Sequence, residues 1–342
     1  MSMSKLGDLV HVVRGMTFKK WAGVVQSTHE RSGKAKVKIV ADMVWCAVRY
    51  GAGYYDYLIY AMWDMDHAKR LTILTRMANK KLLGMVNERE ANQFFDEKKK
   101  FYRRFAEFLG REVLIVEDSN AAEFAAFFRA HQTIIVKPNV GWSGFGIRKL
   151  VIADYPSDEA LATLWEELVA TGIGVVDEVI RQHPALDVLN PTSVNSIRLC
   201  TFLNYDGTPE YIFSVIKMGG TGSFVDNQES GGLHCPLERD TGRVYGPAHT
   251  ARLVGYDRHP VTDMEFVGFV VPMMDQVVAL CLKAALVVPE IRYVGWDIAV
   301  TPDGPILIEG NSYSGPDFWQ LPQYGDGEFG LRAWFKQRVP GF

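Results

Sequence analysis

The segment from Val294 to Asn311, VGWDIAVTPDGPILIEGN, constrains the fold most, because it predicts a β-hairpin with carboxylates on facing strands. Asp297, Glu309 and Asn311 supply hard oxygen ligands, the kind that Mg²⁺ prefers. Directly opposed carboxylates repel each other, so their placement indicates a cation between them, with Asn311 two residues past Glu309 on the same face. The alternative is an edge hairpin whose acids are simply solvated.

The turn of this hairpin decides whether the two carboxylates meet. A three-residue loop at Pro302 to Gly304, a type I turn followed by a left-handed glycine, pairs Asp297 with Glu309. A two-residue loop on the last two of these residues instead pairs Asp297 with Gly310, which sends its side chain to the face opposite Glu309. The metal interpretation therefore predicts the loop with an odd number of residues.

A second segment, Ile134 to Ile147 (IIVKPNVGWSGFGI), predicts a phosphate-binding loop. It begins as a buried strand of β-branched residues, places Lys137 at the strand end and continues into a glycine-containing loop. Glycines let backbone N–H groups approach an anion closely, and a lysine supplies a point charge. The spacing is not that of a Walker A motif, so an ordinary hairpin turn is the alternative. The loop residues assigned to the phosphates are Gly141, Ser143, Gly144 and Gly146.

The order of several motifs along the chain is more specific than any one of them. They are YGAGYYDYLIY (Tyr50–Tyr60), VKPNVGWSGFGI (Val136–Ile147), SVNSIRLCTF (Ser193–Phe202), SFVDNQESGG (Ser223–Gly232) and WDIAVTPDGPILIEGN (Trp296–Asn311). This order resembles the ATP-grasp superfamily and, within it, the sugar-transfer associated ATP-grasp proteins. The resemblance implies an α+β fold in which two α+β lobes grip ATP, with Mg²⁺ held by Asp297, Glu309 and Asn311.

The region before the lobes departs from the usual ATP-grasp pattern, because it is mainly helical instead of containing a parallel sheet. Apolar residues recur at helical spacing over Val37–Val48 and Ala68–Leu83, and the pattern continues over Glu88–Phe108. We therefore predict a helical N-terminal domain at residues 1–110, a lid subdomain at 111–175 and a catalytic subdomain at 176–342.

Strands and helices alternate within the predicted lid. Val113–Val116 predicts a strand, and Asn120–His131 predicts a helix with phenylalanines on its apolar face. A second helix is predicted over Ser157–Thr171, with Ser157 as N-cap and Gly172 as the stop.

The segment Val175 to Gln182, VVDEVIRQ, resembles the strand that joins the lid to the catalytic lobe in ATP-grasp enzymes. That strand presents backbone groups to adenine, and nearby acidic or amide side chains reach the amino group or the ribose. By resemblance, Glu178, Val179 and Ile180 contact the nucleotide's base. The alternative is a buried strand with one exposed acid.

Three further cations are candidates for the phosphates. Lys98 matches the lysine that precedes the lid in many ATP-grasp enzymes and contacts the α-phosphate, although the adjacent run Lys99–Lys100 is also typical of a solvated helix face. Arg198 lies on a predicted strand at Ser196–Leu203 and Lys217 on another at Tyr211–Lys217, and the two strands flank a hairpin signal at Asn204–Gly207. Phosphoryl transfer needs positive charge near the γ-phosphate, so Arg198 is the first catalytic candidate and Lys217 the second. A structural ion pair is the alternative for Arg198.

Composition agrees with a globular enzyme. The chain has 342 residues, 48% of them hydrophobic and 23% charged, which is ordinary for folded domains. A net charge of -3 gives no reason to expect a nucleic acid or an anionic membrane as partner. Four widely spaced cysteines without a CxxC pair, no apolar leader and no run of membrane-spanning length predict a reduced, cytoplasmic setting.

These observations predict an ATP-dependent carboxylate–amine ligase that acts through an acyl phosphate and takes a small-molecule carboxylate and an amine as substrates. The family name suggests a role in modifying a sugar acid or a polysaccharide precursor. Two alternatives stay open at this point: a small-molecule or sugar kinase on the same fold, and a non-catalytic nucleotide-binding module of a polysaccharide assembly.

Overall fold

The computed structural model describes residues 18–141, 144–220, 231–250, 253–317, 320–324 and 330–342. The chain divides into two compact units. One contains the chain up to Val86 together with the chain from Gly315 onward, and the other is Asn87–Ser314. The three domains expected from the motifs stay a prediction.

From Phe18 onward, the described part of the first unit is a run of helices. Helix α2 forms because Ile39, Met43 and Cys46 recur at helical spacing and are buried, and it ends at Gly51, which takes the left-handed conformation with φ 67°. The helical pattern predicted at Val37–Val48 is thus confirmed. The helices are α1 (Phe18–Ser32), α2 (Lys36–Tyr50), α3 (Tyr54–Ile59), α4 (His67–Thr72) and α5 (Arg76–Val86), with a 3₁₀ turn at Met62–Asp64.

The helical spacing over Ala68–Leu83 is interrupted between α4 and α5. The Leu74 N–H donates to Gln320 Oε1 at 2.7 Å, and the Leu74 carbonyl accepts from Gln320 Nε2 at 3.1 Å. One buried amide side chain thus satisfies the backbone groups that the break leaves without helical partners.

The second unit opens with short helical pieces. The pattern over Glu88–Phe108 is broken at Glu97, whose extended backbone (φ −105°, ψ 111°) separates two of them. They are a 3₁₀ turn at Arg89–Asn92, α6 (Gln93–Asp96), α7 (Lys98–Arg104) and a 3₁₀ turn at Ala106–Phe108.

A small antiparallel sheet and two helices follow. Within the described chain this sheet has four strands in the order β1-β4-β2-β3. Asn120 and Ser157 cap the two helices through their side chains, and Gly172 has φ 76°, as expected from the sequence. The elements are β1 (Val113–Ile115), α8 (Ala121–His131), β2 (Thr133–Pro138), β3 (Arg148–Val151), α9 (Asp158–Ala170) and β4 (Ile173–Glu178), with 3₁₀ turns at Val116–Asp118 and Ile152–Asp154.

The remaining strands form a larger antiparallel sheet, in which the described residues give the order β11-β10-β5-β6-β7-β8-β9. Both strands predicted around the Asn204–Gly207 hairpin signal are present as β5 and β6. The elements are α10 (Pro184–Asp187), β5 (Ser196–Leu203), β6 (Pro209–Met218), β7 (Leu233–Pro236), β8 (Ala248–His249), β9 (Gly255–Tyr256), α11 (Met274–Ala284), β10 (Tyr293–Thr301) and β11 (Gly304–Asn311).

The loop of the β10–β11 hairpin differs from the prediction, although the carboxylates still meet. Thr301 pairs with Gly304, so the loop contains two residues instead of three. A β-bulge between Asp297 and Ile298 then shifts the register by one residue and pairs Asp297 with Glu309. An extra residue within a strand and an extra residue in the turn have the same effect on the facing pair. The prediction of an odd loop was wrong, and the predicted pairing is confirmed.

The core beneath β10 is aromatic. The Trp296 ring lies 5.9 Å from the Phe95 ring and 5.5 Å from the Phe105 ring, and its Nε1 donates to Thr201 Oγ1 at 2.8 Å. These contacts hold one face of β10 in the core, so its other face carries Asp297. All four cysteines are buried and carry free thiols.

After Ser314 the chain returns to the first unit. There Arg76 pairs with Asp317 at 2.6 Å, and the Gly330 N–H donates to Thr72 Oγ1 at 3.1 Å. A 3₁₀ turn at Pro322–Tyr324 and helix α12 (Leu331–Arg338) belong to this segment. Throughout the described ranges, every helix is too short or too polar to cross a bilayer.

Candidate functional site

The centre of the candidate site is a row of three charged residues across neighbouring strands. Asp297 on β10 faces Glu309 on β11 and Arg198 on β5. The Arg198 guanidinium binds both carboxylate oxygens of Asp297, with Nε–Oδ1 at 2.6 Å and Nη2–Oδ2 at 2.7 Å. Lys217 from β6 adds a second cation at 3.1 Å from Oδ1. Two predicted catalytic residues and two predicted metal ligands therefore meet on one sheet face.

The two carboxylates have opposite electrostatic surroundings. Burial opposes ionisation of Asp297, but the adjacent Arg198 guanidinium and Lys217 ammonium outweigh it and hold the pKa of Asp297 below its usual range. Desolvation in the cleft and the neighbouring Asp297 carboxylate raise the pKa of Glu309. Neighbouring cations therefore do not fully compensate a negative charge on Glu309.

The donor set at this pair fits a hard divalent cation. Asp297 and Glu309 offer carboxylate oxygens, and a cation beside them would relieve the repulsion that raises the pKa of Glu309. The Asn311 amide nitrogen donates to the Gly295 carbonyl at 3.3 Å, which leaves Oδ1 as its acceptor atom. In the described residues no three His, Cys, Asp or Glu side chains converge, so further ligands would come from Asn311, phosphate oxygens and water.

Lys137 takes part in a buried ionic network in the small sheet. Its Nζ lies 2.5 Å from Asp177 Oδ2 and donates to the Tyr102 hydroxyl at 3.0 Å. The same carboxylate oxygen accepts from Tyr102 at 2.7 Å and pairs with Arg111 at 3.3 Å. Burial opposes the charge on Lys137, yet Asp177 outweighs it and raises the pKa of the lysine. Lys137 is therefore held as a cation at the strand end, where the sequence placed it.

Sequence reasoning missed Asp177, Tyr102 and Arg111. Asp177 lies in a strand that is otherwise apolar up to its last residue, and a charge in such a strand requires partners. A charged residue in an otherwise apolar strand was therefore the sequence feature that could have identified this network. Asp177 Oδ1 is buried without a hydrogen-bond partner among the residues described, so the network offers an acceptor to a bound donor group.

Arg111 connects this network to the strand of the metal ligands. Its Nη1 donates to the Leu307 carbonyl at 2.8 Å, two residues before Glu309 on β11, while its Nη2 pairs with Asp177. The guanidinium is buried, with 3% of its side chain exposed. One fixed side chain thus ties the lysine-bearing sheet to the carboxylate-bearing strand.

Among the three consecutive lysines, Lys98 is the one that reaches the glycine loop. Its Nζ donates to the Gly141 carbonyl at 3.2 Å, whereas Lys99 and Lys100 pair with Glu117 and Glu97. Burial lowers the pKa of Lys98. The repulsion of Lys137 also lowers this pKa, and the attraction of Glu309 only partly offsets the two effects. Lys98 therefore lies within electrostatic reach of both halves of the site.

The glycine loop has the backbone conformations that require glycine. Gly144 and Gly146 have φ 74° and 76°, and a Cβ on Gly146 would lie 2.7 Å from Pro138 Cγ. Gly141 contributes the carbonyl that accepts from Lys98. Ser143 lies outside the described residues, as do residues 223–230 of the SFVDNQESGG motif.

The predicted base-binding residues lie at the end of β4. The Glu178 N–H donates to the Glu112 carbonyl at 3.1 Å, and Glu178 Oε2 accepts from the Glu112 N–H at 3.0 Å. Val179 and Ile180 continue beyond the strand and are half-buried. The side chain of Glu178 is thus engaged with the chain next to β1, and contact of these residues with a base stays a prediction.

Comparison with known proteins agrees with this architecture. The family model described as "Sugar-transfer associated ATP-grasp" matches residues 77–331, whereas no curated protein matches the chain.

The solved structures that match this chain include a ligase, a ribonucleotide synthase and a D-alanyl-alanine synthetase. The ligase PsnB complexed with minimal precursor, Mg and ADP is 14% identical, over 75% of this chain and 65% of that chain, with a TM-score of 0.39. The carboxyaminoimidazole ribonucleotide synthase of Aspergillus clavatus complexed with ATP is 11% identical, over 65% and 46%, with a TM-score of 0.41. The D-alanyl-alanine synthetase A of Vibrio cholerae is 12% identical, over 72% and 64%, with a TM-score of 0.43.

The chain is therefore an ATP-grasp protein, with an α+β fold that follows a mainly helical region, as the motifs predicted. It belongs to the sugar-transfer associated ATP-grasp family, whose model matches most of its length. It spans 65% and 46% of the length of the first two solved structures named above.

Proposed function

We propose that this protein is an ATP-dependent carboxylate–amine ligase that works through an acyl phosphate. The observation that carries the proposal is the row formed by Glu309, Asp297 and Arg198, with Lys217 beside it, on one face of the large sheet. Opposed carboxylates suit a divalent cation, and adjacent cations suit a phosphoryl group that accumulates charge during transfer.

The phosphates of ATP would lie between this row and the glycine loop. Lys137 and Lys98 supply positive charge there, and the backbone at Gly144 and Gly146 supplies N–H groups that can approach an anion closely. Glu178 to Ile180 would meet the base. The match of residues 77–331 to the ATP-grasp family model supports ATP as the nucleotide.

Asp297, Glu309 and Asn311 would hold Mg²⁺, which when bound neutralises charge on the β- and γ-phosphate oxygens. Arg198 is fixed by its two hydrogen bonds to Asp297, so its guanidinium requires little reorganisation to stabilise the transferred phosphoryl group. Lys217 contributes charge from the next strand.

The reaction uses no nucleophile from the protein. An oxygen of the substrate carboxylate forms a bond to the γ-phosphorus while the bond to the ADP oxygen breaks, which gives an acyl phosphate and ADP. The amine then attacks the acyl carbon, inorganic phosphate leaves with the bonding pair and the amine loses a proton. The description of the family supports a sugar acid or a polysaccharide precursor as the source of the carboxylate.

The first test is nucleotide binding. Saturating ATP with Mg²⁺ should raise the melting temperature, because a ligand at a hundredfold excess over Kd stabilises the native state by about 2.7 kcal/mol. Lys137→Ala should lose most of that shift, whereas Lys149→Ala, an exposed lysine on β3, should keep it. An unchanged wild-type melting temperature would remove the nucleotide proposal.

The second test traps the intermediate. Hydroxylamine reacts with acyl phosphates whatever the natural amine is, so a panel of sugar acids and other carboxylates with ATP should yield hydroxamate, ADP and phosphate in equal amounts. A stable phosphorylated product without release of phosphate would instead establish a kinase. ATP binding without turnover on any acid would favour a non-catalytic module.

A further inference from the structure

The outward face of helix α2 is apolar, although it lies on the surface of the first unit. Val37, Val44, Trp45 and Val48 are 81%, 58%, 55% and 43% exposed. With Ala41 they recur at intervals of three and four residues and so form one stripe along the helix. The opposite face of α2 carries the buried residues described above, so this stripe is not needed for packing the unit.

Basic side chains border the stripe on both sides. At 100° per residue, Lys36 lies on one flank, and Lys38 and Arg49 lie on the other, all exposed. Asp42, the acid of this helix, pairs with Arg70 at 2.7 Å. The outward surface of α2 therefore combines an apolar centre with cationic edges and no exposed acid among its described residues.

The charge of this region is opposite in sign to that of the whole chain. Residues 18–50 contain seven Lys or Arg and two Asp or Glu, a net charge of +5, whereas the complete chain carries -3. The net charge of the whole chain does not reveal this local excess of positive charge. It gave no reason to expect an anionic membrane as partner, but that argument does not apply to α2. Positive charge concentrated around an apolar stripe is complementary to an anionic lipid surface.

We propose that the outward face of α2 binds the surface of an anionic lipid bilayer, with the helix lying in the plane of the headgroups. The valines and Trp45 would enter the boundary between headgroups and acyl chains. The long side chains of Lys36, Lys38 and Arg49 would reach the phosphates beside it.

The charge distribution favours a bilayer over a second copy of the chain. A symmetric dimer places the same patch on both sides of its interface, so the cations that border one stripe would face those that border the other. An anionic bilayer meets the same cations with phosphate. Burial of the apolar stripe is common to both arrangements, and the basic border distinguishes them.

The test is flotation of the full chain with vesicles, one set containing about 30% phosphatidylglycerol in phosphatidylcholine and the other phosphatidylcholine alone. The protein should float with the anionic set and be released by about 0.5 M NaCl, because the attraction is screened. Val44→Glu should weaken binding about tenfold. Val169→Glu, at a valine of α9 that is 51% exposed, should leave binding unchanged.

A second pair of changes keeps the test independent of folding. Lys36→Gln and Lys38→Gln remove exposed charges and should each weaken vesicle binding about fivefold, with unchanged circular dichroism and an unchanged ATP-dependent melting shift. Absence of flotation, equal flotation with neutral vesicles or insensitivity to Val44→Glu would overturn the proposal. A dimer in light scattering that Val44→Glu dissociates, without vesicle binding, would assign the stripe to a second copy.

Discussion

Replacing Asp177 by Asn should strongly destabilise the second unit. The Asp177 carboxylate lies 2.5 Å from the Lys137 ammonium and 3.3 Å from the Arg111 guanidinium, and the three side chains are 2%, 11% and 3% exposed. Asparagine keeps the shape and an oxygen that can accept from Tyr102. The change therefore removes charge with little loss of packing and leaves two buried cations without their shared counterion.

The magnitude follows from that burial. Removing one partner of a buried ion pair costs about 3–5 kcal/mol, because the remaining charge stays desolvated, and this is a large fraction of the roughly 5–15 kcal/mol that stabilises a domain. Lys137 and Arg111 lower the pKa of Asp177 despite its burial. The contribution of Asp177 is therefore complete above the unfolded pKa of about 3.9 and is lost only as pH falls through the lower folded pKa. Neutral pH is suitable for the measurement.

Urea unfolding at pH 7, followed by circular dichroism, measures the free energy of unfolding. Asp118→Asn is the matched control, because that half-exposed acid pairs with Arg103 at the surface and should cost less than about 1 kcal/mol. Adding Lys137→Met to Asp177→Asn should recover part of the loss, since it removes one uncompensated charge. A loss below about 1 kcal/mol for Asp177→Asn, or no recovery in the double variant, would refute the buried network as described.

Three further predictions concern the site and the first unit. Glu309→Gln should weaken ATP binding only modestly but lower kcat by about 100-fold or more, because charge at the cation matters most in the transition state. Titration with ATP measures the binding and phosphate release measures kcat. Equal losses of ATP affinity and of kcat would contradict this prediction. Gly146→Ala should raise the KM for ATP, since its φ is 76° and the new Cβ would lie 2.7 Å from Pro138 Cγ; an unchanged KM would remove the loop from the phosphate site. Burial raises the pKa of Asp56 to about 7, so between pH 4 and 7 the folded state keeps a proton that the unfolded state loses, and stability should fall as pH rises, by up to about 4 kcal/mol. Asp56→Asn should abolish that fall in melting temperature, and a parallel fall in both proteins would assign the pH dependence to other groups.

The sequence predicted that Asp297 and Glu309 face each other, but it did not predict the β-bulge that pairs them. An odd loop and a bulge shift the register by the same amount, so the pattern around Asp297 and Glu309 could not distinguish them. The small-sheet helices were predicted closely because Asn120 and Ser157 are local caps that depend on few distant contacts. The break between α4 and α5 was not predicted, because Gln320, which satisfies the Leu74 backbone there, lies far along the chain.

The site shows the same division between local and distant causes. Gly144 and Gly146, which have positive φ, were identified because glycine adopts positive φ more readily than other residues, so the residue type itself predicts the conformation. Arg198 was assigned to phosphate, and in this structure its guanidinium is held by Asp297. The contacts of Asp177 with Tyr102 and Arg111 join residues 66 to 75 positions apart. No short-range pattern contains such a network, which depends on the packing of α7 against the small sheet.

The return of the chain to the first unit after Ser314 has a consequence for biosynthesis. Helices α1 to α5 are translated early, but the segment that carries Gln320 and α12 follows the 228 residues of Asn87–Ser314. At about 5–20 residues per second, this separation is on the order of 10 to 45 seconds. The second unit, which is continuous in sequence, can fold on the ribosome during that interval. The backbone of Leu74 has no hydrogen bond to Gln320 until that residue has been translated. The helical unit is thus translated early and completed late, and a nascent chain that stops before residue 315 exposes it to proteases and chaperones.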